Sequence, residues 1–339
     1  MFPILVPILY AAACLIAAAA GVAAFTRWAT RARLLDVPNA RSSHHVPTPR
    51  GAGAIIVLIV VATIAWVTYA GRFEAGIGIA ATALGIAAIS AVDDVRPLPS
   101  SLRLLVHFGC AGVAVLAVAH GSRSVWPVPA GVLATLWVVG LTNAYNFMDG
   151  IDGISGAQAL VSGVTVSVAS AYAGLSGHAA VGMAIAAASA GFLLHNWPPA
   201  RVFMGDVGSA FLGFLFAVLA LQIGAVSFSA GAAVAVSLWP FLFDTTLTLI
   251  RRTRRRENIF ASHRSHLYQR LVIAGWSHAR VTLTYAAMAA IGAAAALAWS
   301  VRGASWHVLI IVPMMALAIH LNVLRTEVLS SRAGNPVTR

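Results

Sequence analysis

Lysine is absent from this chain, and only ten of its 339 residues are acidic. Charged residues make up 9% of the sequence, against roughly 25% in a soluble domain. So few charges cannot cover a water-facing surface, which excludes a soluble globular enzyme and puts the core mainly in lipid. Cysteine is scarce too. Cys14 and Cys110 both sit in apolar runs, which argues against a disulfide framework or a cysteine metal site. No polar or low-complexity linker divides the chain, so residues 1–339 read as one integral-membrane domain. The N-terminal apolar run is too long, and wrongly flanked, for a cleaved signal peptide.

What the sequence does have is a succession of apolar runs. About 20 apolar residues cross the hydrocarbon core as a helix. That rule predicts spans at 3–26, 51–70, 76–92, 103–120, 128–145, 154–174, 178–195, 210–226, 230–250, 281–299 and 306–323. The expected fold is all-α, a polytopic membrane protein with about 11 transmembrane helices. The loops that follow odd-numbered spans hold 19 of the 22 arginines, and only Arg72, Arg123 and Arg302 lie on the other side. By the positive-inside rule the arginine-rich side is cytoplasmic, the N-terminus is outside and the C-terminus inside. The net charge of +12 is thereby explained by topology and phosphate contacts, without nucleic acid as a partner.

Eight of the ten acidic residues fall in those same loops, Asp244 lies inside the ninth span, and only Glu74 is on the far side. A transporter would place ionisable groups near the midplane of several helices. A site worked from the cytoplasmic face fits this distribution better.

Five stretches carry the candidate chemistry. In Asn143 to Gly156, Asn146, Asp149 and Asp152 recur at spacings of three among glycines that include Gly150, beside Ile151. A tight polar turn needs fewer such groups, and ionisable clusters beside a bilayer are functional by default. Asp93-Asp94 closes the third span. Paired carboxylates hold Mg²⁺, or one serves as a base, or they simply end a helix in solvent. A DDxxD prenyl-synthase reading fails at Pro97. Loop 196–209 brackets Asp206 with glycines after Phe203, an aromatic that either stacks on a base or anchors at the interface. The first loop carries His45 and Arg50 before Gly51 and Gly53, which let it fold onto a helix start where anions bind; the alternative is a basic topology loop. In loop 251–280, His263, Arg264 and His266 crowd three donors into four residues. Without a Cys or acidic neighbour in sequence they suit phosphate better than zinc.

Together these stretches resemble the polyprenyl-phosphate N-acetylhexosamine-1-phosphate transferase family, over nearly the whole chain and with the motifs in order. The resemblance implies transfer of a sugar-1-phosphate from a UDP-N-acetylhexosamine to undecaprenyl phosphate, with UMP leaving, at a bacterial inner membrane. It implies Mg²⁺, with Mn²⁺ as an alternative, held by Asn146 and Asp206. It assigns acceptor activation to Asp93 and Asp94, with Asp93 as the base. Gly150, Ile151, Asp152 and Phe203 match positions lining the uracil pocket, and Asp149 is a further substrate-binding residue. His263, Arg264 and His266 match the diphosphate and sugar loop, and His45 and Arg50 the first-loop substrate contacts. Membrane lipids are further partners, and a homodimer is left open.

Two departures matter. Ala52 breaks the first-loop glycine run, and His-Arg-Ser-His replaces consecutive histidines. They point away from phospho-N-acetylmuramoyl-pentapeptide transferase, the alternative, towards initiators of O-antigen and other surface polysaccharides. A transporter or flippase is the competing class.

Overall fold

The computed structural model describes residues 2–38, 46–121, 126–258 and 263–332. Thirteen α-helices are found among them. They are α1 (Phe2–Arg31), α2 (Gly53–Tyr69), α3 (Gly76–Val95), α4 (Ser100–Gly121), α5 (Val128–Phe147), α6 (Ile154–Tyr172), α7 (Ser176–Asn196), α8 (Asp206–Val226), α9 (Phe228–Ser237), α10 (Trp239–Arg254), α11 (Leu267–Ile273), α12 (His278–Arg302) and α13 (Ile311–Arg332). Two short strands, β1 (Leu35–Asp36) and β2 (Thr48–Pro49), pair antiparallel between α1 and α2. The protein is an all-α, polytopic membrane protein. Nine helical segments among the described residues are long and apolar enough to cross a bilayer, or ten if the bent pair α9–α10 counts as one. At 17 residues α2 is shorter, at the lower limit of span length.

The helix ends depart from the apolar runs where polar residues have found partners. α3 continues to Val95, so Asp93 and Asp94 lie in its last turn. α5 continues to Phe147, so Asn143 and Asn146 share one helix face. α8 begins at Asp206 rather than 210. The ninth predicted span breaks at Leu238, where α9 and α10 are bent by 64°. Pro240, in the first turn of α10, has no N–H to continue the α9 ladder, and its ring would clash with the preceding turn.

In lipid the helices gain little from burying apolar surface against one another, so packing relies on close contact and satisfied polar groups. α8 is central: 78% of its span is buried, against 17% for α1 and for the last span. Phe211, Phe214 and Phe216 of α8 are fully buried with Tyr145 and Phe241, and the Tyr145 and Phe241 rings stand 5.0 Å apart. Gln158 Nε2 donates to Ser162 Oγ and to the Ser237 carbonyl, both at 2.8 Å, stitching α6 to the end of α9. The connections after α1, α3, α5, α7 and α10 converge at one end of the helices, where the chemistry-bearing residues lie.

Candidate active site

The first loop is laid directly on the entrance of α8. Gly51 N and Ala52 N both donate to the Phe203 carbonyl at 3.1 Å, Gly53 N donates to Met204 O at 2.9 Å, and Phe203 N donates to Pro49 O at 2.8 Å. Gly53 and Gly208 touch backbone to backbone: a Cβ on Gly53 would stand 2.5 Å from Gly208 Cα. Gly205 has a φ of +76°, and a Cβ there would stand 2.6 Å from Asp94 Oδ2. This crowding lets Asp94 reach the start of α8. Its Oδ1 accepts from Asp206 N at 3.0 Å and its Oδ2 from Val207 N at 3.1 Å. An acidic residue that opposes the dipole of its own helix thus caps the N-terminus of another, where negative charge is favoured.

From that cap an ion ladder extends across the helix ends. Arg50 Nη2 lies 2.6 Å from Asp94 Oδ1 and 2.7 Å from Asp206 Oδ1. Arg103 Nη1 lies 2.6 Å from Asp93 Oδ2 and 3.5 Å from Asp206 Oδ2. Asp93 Oδ1 accepts from Leu98 N at 2.7 Å, so both its oxygens are engaged. Asn146 Nδ2 donates to Asp206 Oδ2 at 3.3 Å, while Asn146 Oδ1 accepts from Ser209 Oγ at 2.6 Å. The carboxylates are mostly covered, but the Arg50 and Arg103 side chains are 33% and 32% exposed. The ladder therefore leaves both arginine side chains partly accessible. Burial opposes the charge of Arg50, and the Asp206 and Asp94 carboxylates outweigh it and raise its pKa. Burial pushes the Asp149 carboxyl up to about 7, and the charges of Asp206 and Asp94 push the same way.

The remaining predicted residues form a second group. A Cβ on Gly150 would overlap the Tyr268 hydroxyl, which donates to Phe147 O at 3.1 Å. Ile151 is buried, and Phe203 is half-buried. Asp152 Oδ2 accepts from Ala200 N at 3.1 Å and lies 3.3 Å from His278 Nδ1. Its loop is thereby tied to loop 196–209 and to α12. Burial lowers the pKa of His263 to about 4, helped by the charges of His266 and Arg252, so its ring is neutral near pH 7. That ring stacks on His266 at 5.0 Å and lies 2.8 Å from Ser265 Oγ through Nδ1. Arg264 is half-buried, and His266 is buried with its Nδ1 3.1 Å from Asp244 Oδ1. His45 lies outside the described residues.

Arg50, Asp93, Asp94, Asn146 and Asp206 are thus brought into one cluster, with Asp149 in its electric field. Asp152 and the His263–His266 loop stand beside it, joined through Tyr268. Two members escaped the sequence reading. Arg103 counted only towards topology. Asp244, fully buried, accepts from Leu267 N at 2.8 Å, Tyr268 N at 3.0 Å and Tyr285 Oη at 2.7 Å, and so anchors the loop. An acidic residue inside a span was the available signal.

The donor set around Asp206 is made of hard oxygens, the kind Mg²⁺ takes. Arg50, bridging two carboxylates at 2.6 and 2.7 Å, shows that a cation suits this place. Among the described residues no group of three or more His, Cys, Asp or Glu is arranged to close around a metal. The protein would thus supply few ligands and leave the rest to substrate and water, the usual manner for Mg²⁺. Chemically, the arrangement combines partly exposed arginines suited to phosphate, fixed carboxylates, and a carboxyl held up to about 7.

Residues 76–224, which run from α3 almost to the end of α8, match the sequence model of glycosyl transferase family 4. The chain is 31% identical over 268 residues to a Bacillus subtilis protein named "Probable undecaprenyl-phosphate N-acetylglucosaminyl 1-phosphate transferase", covering 74% of this chain and 73% of the relative. It is 28% identical over 320 residues to the decaprenyl-phosphate N-acetylglucosaminephosphotransferase of Mycobacterium tuberculosis, covering 81% and 78%. A phospho-N-acetylmuramoyl-pentapeptide-transferase of Lacticaseibacillus paracasei matches at 31% over 173 residues, about half of each chain. With this similarity spanning most of its length, the chain belongs to glycosyl transferase family 4, the polyprenyl-phosphate sugar-1-phosphate transferases.

Proposed function

We propose that the protein transfers an N-acetylhexosamine-1-phosphate from a UDP-sugar to undecaprenyl phosphate at the cytoplasmic face of a bacterial inner membrane, releasing UMP. The observation that carries this reading is the ladder Asp93–Arg103–Asp206–Arg50–Asp94 closed by Asn146. It offers two guanidinium groups to phosphates at the membrane surface, where a lipid phosphate and a soluble nucleotide sugar can meet.

An oxygen of the lipid phosphate attacks the phosphorus that bears the sugar, and the bond from that phosphorus to UMP breaks. Arg50 and Arg103 neutralise the crowded phosphates and hold them in line. Asp93 takes the proton of the incoming lipid phosphate. It does so once Arg103 turns from Asp93 Oδ2 to that phosphate, which frees the oxygen. Asp94 keeps α8 and Asp206 in register. Asp206 and Asn146 would hold Mg²⁺, or Mn²⁺ in its place, which when bound neutralises diphosphate charge and favours the departure of UMP. Asp149, Gly150, Ile151, Asp152 and Phe203 form the uracil side of the site. Neutral His263, Arg264 and His266 meet the diphosphate and sugar, with His45 joining Arg50 on the first loop.

Among hexosamines the reading favours N-acetylglucosamine, for which the Bacillus subtilis and Mycobacterium tuberculosis relatives are named. The muramoyl-pentapeptide relative covers only about half of the chain, which ranks that substrate second. The product would start an O-antigen or another surface polysaccharide. The test is purified protein with undecaprenyl phosphate and a panel of UDP-sugars. UMP release that needs both the lipid and Mg²⁺ is expected; UDP-sugar or lipid movement across vesicles with no UMP release would refute it.

A further inference from the structure

At the opposite end of α8 lies a second polar site, unrelated to the first. α8 starts at Asp206 in the ladder and ends at Val226, about 30 Å away at 1.5 Å per residue. There a cavity of about 360 Å³ is lined by Arg72 and Glu74 of the α2–α3 turn, His178 in the first turn of α7, and Gln222 of α8, among others. That volume is in the range of ligand sites rather than of packing defects. His178 is 6% exposed, and its ring packs on Phe73 at 4.3 Å. Gln222 is a polar neighbour of His178, yet both ring nitrogens of His178 and Gln222 Oε1 are buried without a hydrogen bond of proper length and angle. His178 and Gln222 both line the cavity, and their unpaired atoms are unusual, because buried polar atoms almost always have partners. Gln222 Nε2 instead donates to Glu74 O at 3.4 Å, which seats the turn over the cavity.

The lining fixes the chemistry of what would fill it. Arg72 offers a guanidinium fork for phosphate. The first turn of α7 has no side-chain cap, and its dipole favours negative charge nearby. Glu74 and Gln222 Oε1 accept hydrogen bonds and suit a cation that can donate them. Anion and cation sites side by side call for a zwitterion. Trp66, Tyr69 and Tyr172, 67%, 88% and 70% exposed, ring this end of the helices, as aromatic residues do at lipid head-group level.

The geometry points to a binding site for a phosphoethanolamine group, carried by a phospholipid of the membrane surface opposite the ladder. Its phosphate lies on Arg72 and its ammonium on Glu74, with His178 and Gln222 closing on both. The choice is selective. A choline head has no N–H to donate, and a glycerol head has no cation.

Native mass spectrometry of the full chain in detergent tests this, with equal amounts of phosphatidylethanolamine, phosphatidylcholine and phosphatidylglycerol added. Preferential retention of phosphatidylethanolamine is expected. Arg72→Ala and Glu74→Ala, both at exposed positions, should each lower its occupancy about tenfold, the loss for one charged hydrogen bond. The melting temperature and UMP release should stay at parent values. Soluble phosphoethanolamine separates the sources: displacement of the lipid means that the free group suffices, whereas variant-sensitive binding without displacement assigns the site to the intact lipid. Equal retention of the three lipids, or occupancy unchanged in both variants, would overturn the proposal.

Discussion

Asp244→Asn isolates what a single buried carboxylate does for the whole last loop. Asp244 is fully buried in α10. Its Oδ1 accepts from Leu267 N at 2.8 Å and from Thr248 Oγ1 at 3.2 Å, and lies 3.1 Å from His266 Nδ1. Its Oδ2 accepts from Tyr268 N at 3.0 Å and Tyr285 Oη at 2.7 Å. One carboxylate therefore joins α10, the loop before α11, and α12. Asparagine has the same shape but one acceptor oxygen fewer. Whichever way its amide faces, an NH₂ group confronts a backbone N–H that can only donate, Leu267 N or Tyr268 N, while the hydroxyl beside it can turn to accept. Hydrogen bonds to a charged group contribute about 1.5–3 kcal/mol each, so losing the one to the backbone N–H costs about that much at this junction, and the bonds that remain weaken with the loss of charge.

The expected outcome is a fall of several degrees in Tm and faster hydrogen–deuterium exchange across residues 263–273. KM for the UDP-sugar should rise more than kcat falls, because the loop that carries Arg264 loses its anchor while the ladder stays intact. Tyr285→Phe removes one donor and should give a smaller change in the same direction. If Asp244→Asn keeps the parent Tm and exchange pattern, these bonds do not hold the loop. If exchange is unchanged while kcat alone collapses, Asp244 acts on the chemistry directly and is not a positioning residue.

Asp93→Asn should lower turnover by roughly 10² or more if it removes a general base, with UDP-sugar affinity little changed in equilibrium binding; near-normal turnover would exclude the role. Phe203→Leu should weaken UDP and UDP-sugar alike, by about 1–3 kcal/mol for a lost base stack; a loss confined to the sugar-bearing ligand in calorimetry would move Phe203 to the sugar. Arg264→Lys keeps the charge but loses the fork, and should lower activity without altering its pH profile; full activity would reduce the loop to a topology signal. Asp149→Asn should stabilise the protein at pH 8 but not at pH 4. A carboxyl held up to about 7 keeps its proton in the folded state while the unfolded chain has lost it, so stability falls as pH rises between about 4 and 7, by at most about 4 kcal/mol. Tm curves for both proteins that run parallel across that window would refute the shift.

The all-α membrane architecture was legible because lipid leaves a plain record: apolar runs of fixed length, and arginines gathered on one side. Helix ends were less legible, since hydropathy cannot report a polar residue that has found a partner. Asp93 and Asp94 read as residues beyond a span, yet they complete α3, with Asp94 capping α8. The break at Leu238 could have been read from Pro240, but the surrounding apolar residues masked it. At the site, the glycines around Arg50 and Asp206 did foretell a loop folded onto a helix start. Arg103 could not be singled out, because an arginine at a span edge looks the same whether it faces lipid head groups or a carboxylate. Asp244 was visible as an acid inside a span, but its partners in the last loop and in α12 lie 22 to 41 residues away in sequence, beyond any local pattern.

Charge arithmetic explains why the ladder is built from opposed pairs. Asp93, Asp94 and Asp206 place three negative charges against the two positive charges of Arg50 and Arg103, leaving −1. Asp149 adds a further charge only when it loses a proton held to about pH 7. Two phosphate-bearing substrates could not approach carboxylates alone, and bare arginines would be immobilised on the first phosphate to arrive. Arginines held by carboxylates but a third exposed can change partners, from Asp93 or Asp94 to a phosphate, and the carboxylate left behind is compensated by a proton, in the role proposed for Asp93, or by backbone N–H donors, as at Asp94. The remaining deficit of one or two positive charges is what a single divalent cation would balance. A polar site of this size survives at a membrane surface because each charge already has a partner, and it can work because those partners are exchangeable.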